Sequence, residues 1–229
     1  MKISQKIVLV INFIVITAIC MLNYVYQSNG FDFKLKLTCS ALFSTLGLIN
    51  LAYAIITRKS NFKFYLIMFA GLVLAFLGDY FIGFDFVLGA GSFALGHICF
   101  VIAYCFIEKI GKLDFVFSAV LFVSAASFLL FAPFLSFEQE LFRIVCLVYA
   151  LIISTMLGKA IGNFVKNKNT VTLTLLVGSF LFFFSDLMLV LAWFIGGLKW
   201  ANNACMGTYY PALCLLALSL CIKSSLKNK

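Results

Sequence analysis

The sequence predicts an all-α fold, a polytopic integral membrane bundle of eight transmembrane helices in a single transmembrane domain over residues 1–229. Three observations carry this. Of the 229 residues, 64% are hydrophobic and only 11% charged, whereas soluble domains carry about 25% charged residues. The mean hydropathy is correspondingly high, +1.13. Apolar runs recur at about 20 residues, the length an α-helix needs to cross the hydrocarbon core. The runs do not alternate and are too long for strands, and a bilayer accepts only helices or closed barrels.

The spans fall at roughly 7–26, 37–57, 64–83, 86–107, 115–135, 139–162, 171–195 and 202–222. The first, within "MKISQKIVLVINFIVITAIC", has the lysines and apolar core of a signal peptide. No small-x-small cleavage site follows and the run continues through "MLNYVY", so it reads as an uncleaved helix. The second follows Lys34 and Lys36. The third, ending in "FAGLVLAFLGDYFIGF", carries a carboxylate, Asp79, near its far end. A tight turn at 84–85 separates it from the fourth, which holds the only histidine, His97. The fifth stops in "PFLSFEQE", which leads into the sixth. The seventh, "LTLLVGSFLFFFSDLMLVLAWF", places Asp186 a little past its middle, and the eighth opens on Tyr209 and Tyr210. Gly71, Ala75 and Gly78 share one face of span three, and Gly89, Ser92 and Gly96 one face of span four. Small residues at this spacing let helices approach closely in lipid.

The net charge of +9 does not point to nucleic acid, because the basic residues sit in short segments between apolar runs. Four of the 17 (Lys34, Lys36, Arg143 and Lys199) fall on one side and the other 13 on the opposite side. The positive-inside rule then predicts both termini in the cytoplasm. The eight cysteines lie in or beside apolar runs with no C-x-x-C pair, which fits inert packing residues.

The chemistry-bearing inventory inside the spans is short: Asp79, Asp186 and His97, with Tyr209 and Tyr210 entering the same layer. Odd and even spans run in opposite directions, so these depths overlap. Ser185 flanks Asp186, and Ser179, Phe182, Phe183 and Asp186 share one helical face. Each has a plain structural reading. Asp79 lies near a turn where it could reach water or cap the next helix, Asp186 and His97 could bond helix to helix, and the tyrosines could simply pack. Against that, intramembrane carboxylates mark functional sites by default. Asp85, Asp114, Glu108, Glu138 and Glu140 read as loop charges. "FLGDYFIGF" and "FFSDLMLVLAWF" also echo one another four spans apart.

Several chemistries are excluded. One histidine cannot make a three-histidine zinc site. G-x-S-x-G and H-E-x-x-H are missing from the sequence. "GAGSFALG" follows no strand and lies inside a span, so it is no nucleotide loop. Carboxylate and imidazole chemistry in a dry pocket remains, where one neutral acid beside one ionised carboxylate divides the acid and base roles.

The stretches "GDYFIG", "FALGHICFVIAY", "YALIISTMLGKA", "FSDLMLVLAWF" and "TYYPALCLLALS" together resemble the YhhN family of eight-span membrane proteins, which includes lysoplasmalogenases. The resemblance places Gly78, Asp79, Phe93, His97, Ser185, Asp186, Tyr209 and Tyr210 on family-like positions. The chain departs where the family has Lys-Pro, a tyrosine after the histidine and a glutamine after the tyrosine pair. Here those places hold Lys36-Leu37, Phe100 and Leu213.

The resemblance implies hydrolysis of the vinyl-ether bond of lysoplasmalogen to a fatty aldehyde and a glycerophospho-headgroup. Asp79 and Asp186, either way round, would act as acid and charge stabiliser with His97 as partner or proton relay. Tyr209, Tyr210, Ser185 and Phe93 would contact substrate. That chemistry calls for no cofactor and no metal. The expected partners are a lysophospholipid-like substrate and the lipid bilayer, with no nucleic acid, in the cell (inner) membrane if the source is bacterial. The alternatives are a lipid-binding or proton-coupled carrier using the same acids, and a family member that keeps the fold alone.

Overall fold

The computed structural model describes residues 3–57, 62–137, 139–196 and 198–225. They form eight helices: α1 (Ile3–Ser28), α2 (Phe33–Thr57), α3 (Phe62–Phe81), α4 (Phe86–Cys105), α5 (Lys112–Phe131), α6 (Glu140–Lys166), α7 (Thr170–Phe194) and α8 (Lys199–Ser225). All eight are long and apolar enough to cross a membrane, and the described residues contain no strand. The expected spans agree with the helices to within about four residues at every end. α5 stops at Phe131 because Ala132, held extended (ψ 112°), precedes Pro133, and proline disfavours helical conformation in the residue before it. α6 runs on to Lys166, whose Nζ bonds the Lys109 carbonyl at 3.1 Å, and α8 starts at Lys199 and ends at Ser225. In the turn between α3 and α4 it is Asp85, not Asp79, that caps α4, its carboxylate accepting the Leu88 N–H at 2.8 Å.

The helices pair as antiparallel hairpins, α3 on α4, α5 on α6 and α7 on α8. α8 lies at the centre, against α1, α2, α3 and α7, whereas among the described residues the backbone of α5 packs against α6 alone. Among the described residues the backbone of α7 packs closely only against α6 and α8; it reaches α4 through side chains, and the space left among them towards one end becomes the cavity described below. The α3–α4 seam is built as the small-residue pattern predicts. A Cβ on Gly78 would meet the Phe93 ring at 2.7 Å, one on Gly89 would meet the Ile82 backbone at 2.6 Å, and Gly96 faces the Gly71 carbonyl. Small residues here let two backbones come close enough for dispersion to act where lipid supplies no hydrophobic drive.

Polar bonds fasten the remaining helices. Asn12 of α1 and Asn50 of α2 exchange amide bonds at 2.7 and 2.8 Å, Asn50 also donates to the Ala217 carbonyl of α8, and Asn23 donates to the Met206 carbonyl. The sequence reading of Asp114 as a loop charge is corrected: it is buried in the first turn of α5. Its carboxylate accepts from the Gly111 N–H at 2.8 Å and pairs with Lys159 at 3.0 Å and Lys166 at 3.5 Å. Counting charges by loop missed this because α5 begins earlier than its apolar run and Gly158 and Gly162 let α6 approach it. Glu108 stays in the loop after α4, Glu140 forms a surface pair with Arg143, and Glu138 lies outside the described residues.

Two outcomes follow. Cysteines placed at the exposed positions Lys112 and Lys199 should label from opposite sides of the membrane; labelling from one side would refute the eight-span topology. Gly89→Leu should lower the melting temperature in detergent by overpacking, a cost of about 1–3 kcal/mol. Gly91→Leu, where nothing lies within 4 Å, should leave it near the wild-type value.

Candidate functional site

A cavity of ≈ 210 Å³ sits among the helix ends on the face opposite most of the lysines. Tyr26 closes it from the end of α1 and Lys36 from the start of α2. Asp79 and Phe93 contribute from the α3–α4 hairpin, Ser185, Asp186 and Trp193 from the second half of α7, and Asn202, Cys205 and Tyr209 from the first half of α8. Towards the other face the bundle is filled by the buried rings of Phe100, Tyr104 and Phe182. A second, apolar pocket of ≈ 60 Å³ lies between α4, α5, α6 and α7. Ile82, Phe93, Asp186 and Leu189 line both spaces.

The two carboxylates have unlike partners. Asp79 is 1% exposed and accepts from the Ser40 hydroxyl at 2.6 Å and the Tyr209 hydroxyl at 2.7 Å. The Lys36 ammonium lies 3.3 Å from its other oxygen. Three donors from α2 and α8 therefore converge on one carboxylate of α3, as a buried charge requires. Asp186 accepts from the Tyr149 hydroxyl of α6 at 2.8 Å. His97 Nε2 lies 2.8 Å from the same hydroxyl and 3.5 Å from the Asp186 oxygen. The other ring nitrogen, Nδ1, faces the Met156 sulfur at 3.2 Å. The imidazole is fully buried, with Phe182 edge-on at 4.5 Å.

Asp79, Asp186, Tyr209, Ser185 and Phe93 thus line one cavity, and His97 reaches it through Tyr149 and Asp186. Phe93 covers Gly78 and packs edge-on to Tyr209 at 6.0 Å. Ser185 lies 3.5 Å from the Cys205 sulfur. Tyr210 is not on the wall: its hydroxyl donates to the Lys36 carbonyl at 3.1 Å, fixing the start of α2. Ser179 bonds Tyr104 deeper in the bundle. Sequence reasoning placed Lys36 in a loop and did not single out Ser40 or Tyr149. The signals were thin: Lys36 directly abuts an apolar run, and Tyr149 opens the "YALIISTMLGKA" stretch. No group of three His, Cys, Asp or Glu side chains able to hold a metal gathers among the described residues.

Fold and site together define an integral membrane protein with an intramembrane carboxylate site at one end of an eight-helix bundle. The model of the YhhN family matches residues 39–220, and the chain belongs to that family. The match takes in Ser40, Asp79, His97, Tyr149, Asp186 and Tyr209. No curated protein and no solved structure matches it.

Lys36→Met should strand a buried carboxylate and destabilise the fold by about 3–5 kcal/mol, the usual cost of removing one partner of a buried pair. Lys36→Met with Asp79→Asn should recover much of that loss in a denaturation series. Equal stability of wild type and Lys36→Met would show that the ion pair does not hold the site.

Proposed function

We propose that the protein is a membrane-embedded hydrolase that cleaves the vinyl-ether bond of lysoplasmalogen, releasing a fatty aldehyde and a glycerophospho-headgroup. Membership of the YhhN family supports a lysoplasmalogenase-like role. One observation carries the chemistry: two carboxylates with unlike donor sets border one polar cavity, and one of them, Asp186, also borders an apolar pocket. A single-chain ether lipid has the same division, a polar head and a hydrocarbon chain joined at the reacting bond.

The donor sets divide the roles. Asp79, facing an ammonium and two hydroxyls, takes the charge-stabilising role. Asp186 is the acid. Its carboxyl proton passes to the β-carbon of the vinyl ether, the π electrons form the new C–H bond, and the α-carbon becomes an oxocarbenium centre. Negative charge held in place by the protein stabilises that cation in a site with little water. Water adds to the α-carbon and gives up a proton, and the hemiacetal collapses to aldehyde and alcohol. A carrier would need its acids reachable from both faces, whereas the cavity is lined from one end of the helices only, which favours an enzyme.

Purified protein should release aldehyde from a vinyl-ether lysolipid and leave the saturated-ether analogue intact, since the latter has no double bond to protonate. Asp186→Asn keeps the shape and most hydrogen bonds but cannot donate an acidic proton, so turnover should fall on the order of a hundredfold or more. Asp79→Asn should behave alike if the pair acts as a unit. Wild-type aldehyde release from Asp186→Asn would remove the mechanism, and equal cleavage of the saturated analogue would remove the substrate assignment.

A further inference from the structure

We propose that His97 and Asp186 share one exchangeable proton through the hydroxyl of Tyr149, with Met156 keeping the far ring nitrogen protonated, so that Asp186 is recharged from inside the bundle. The recharging role rests on the reading of Asp186 as the acid; the proton chain itself rests on geometry alone.

Each atom's capacity decides where the hydrogens lie. A thioether sulfur accepts a hydrogen bond and has no hydrogen to give. Met156 Sδ lies 3.2 Å from His97 Nδ1, so Nδ1 carries the hydrogen and Nε2 is left to exchange. Nε2 lies nearest the Tyr149 hydroxyl, at 2.8 Å, with Asp186 Oδ2 farther off at 3.5 Å, and the Tyr149 hydroxyl itself reaches that same Oδ2 at 2.8 Å. Met156 and His97 are both fully buried, and the rings of Phe100, Phe182 and Tyr149 surround the imidazole. The shortest route for a proton from the histidine therefore runs through Tyr149, and it ends at a carboxylate on the cavity wall.

A phenol with one hydrogen between these two groups has two consistent arrangements. In the first, the imidazolium Nε2–H donates to Tyr149, whose O–H donates to the Asp186 carboxylate. In the second, the Asp186 O–H donates to Tyr149, whose O–H donates to neutral Nε2. Two proton hops along existing hydrogen bonds interconvert them, and Nδ1–H is the same in both. From the first arrangement the Nε2 proton moves to the Tyr149 oxygen as the Tyr149 proton moves to the Asp186 carboxylate, and Asp186 then gives that proton to the substrate, leaving Nε2 bare. The proton later released by the attacking water returns along the reverse path to Nε2, so the cycle closes with one water consumed. Tyr149 and Met156 act through Asp186 and are positioning residues.

His97 is the sole histidine of the chain, so ¹⁵N-histidine labelling of the full-length protein in detergent micelles gives a single imidazole to read. The expected spectrum has Nδ1 protonated, with Nε2 either a charged N–H or a bare acceptor. A neutral ring with bare Nδ1 and protonated Nε2 would overturn the proposal whether or not the protein is an enzyme. Met156→Leu should release the ring to that other tautomer; an unchanged nitrogen pattern in this variant would show that the sulfur does not set it. In turnover of the vinyl-ether lysolipid, Tyr149→Phe should lower kcat by about tenfold or more with KM unchanged. Adding His97→Gln to Tyr149→Phe should cost little further, because the two act in series. Full additivity would overturn the relay. Failure of the wild type to release aldehyde would instead refute the function proposed above and leave the nitrogen spectrum to judge the proton chain.

Discussion

Asp79 is held by Lys36, Ser40 and Tyr209, and satisfying this carboxylate fixes how α2, α3 and α8 meet. An aspartate at the bilayer centre costs about 2.5–3.5 kcal/mol on insertion scales, an upper bound for Asp79 in the last turn of α3. Hydrogen bonds to a charged group contribute about 1.5–3 kcal/mol each, so two hydroxyls and an ammonium are enough to offset that cost. No single helix can supply them. The donors come from the first turns of α2 and the first half of α8, so the helix carrying the acid must lie between the two. Tyr210 tightens the same junction by bonding the Lys36 carbonyl.

The second carboxylate is satisfied differently, and the proposed chemistry rests on that contrast. Asp186 has a phenol and, through it, an imidazole, with no lysine among its recorded partners. It also stands where the polar cavity meets the apolar pocket. One acid is held by a lysine, and the other faces a phenol and an imidazole. Both carboxylates border the cavity that forms where the backbone of α7 stands away from α3 and α4 at one end of the bundle.

The rest of the scaffold keeps that gap from collapsing. The α3–α4 seam closes on glycines that bring Phe93 and Phe100 down onto the facing helix, and Phe93 in turn forms part of the cavity wall. Asn12, Asn23 and Asn50 bind α1 and α2 to the central α8. Among the described residues the backbone of α5 packs against α6 alone, and the helix is fastened at one end by the Asp114–Lys159 pair, while Ala125 and Leu129 further along it line the apolar pocket. These are short-range devices suited to lipid, where apolar burial drives little between helices and close packing and polar bonds carry association.

The number and type of elements, the small-residue faces of spans three and four and the two anomalous aspartates were all legible in the sequence. Each is local: a run of about 20 apolar residues, glycines at helical spacing, a charge where lipid tolerates few. The partners were not legible, because pairing is not local. Tyr209 lies 130 residues from Asp79, and Tyr149 lies 37 from Asp186. Tyr149 is one of nine tyrosines, marked only by its place at the start of the "YALIISTMLGKA" stretch. Lys36 and Asp114 were misread for one reason. A count of charges by loop assumes every charge seeks water, whereas in a bundle with few polar groups a lysine and an aspartate on different helices can satisfy each other. Which acid is fixed and which can exchange a proton follows from that pairing, and only the packing of eight helices decides it.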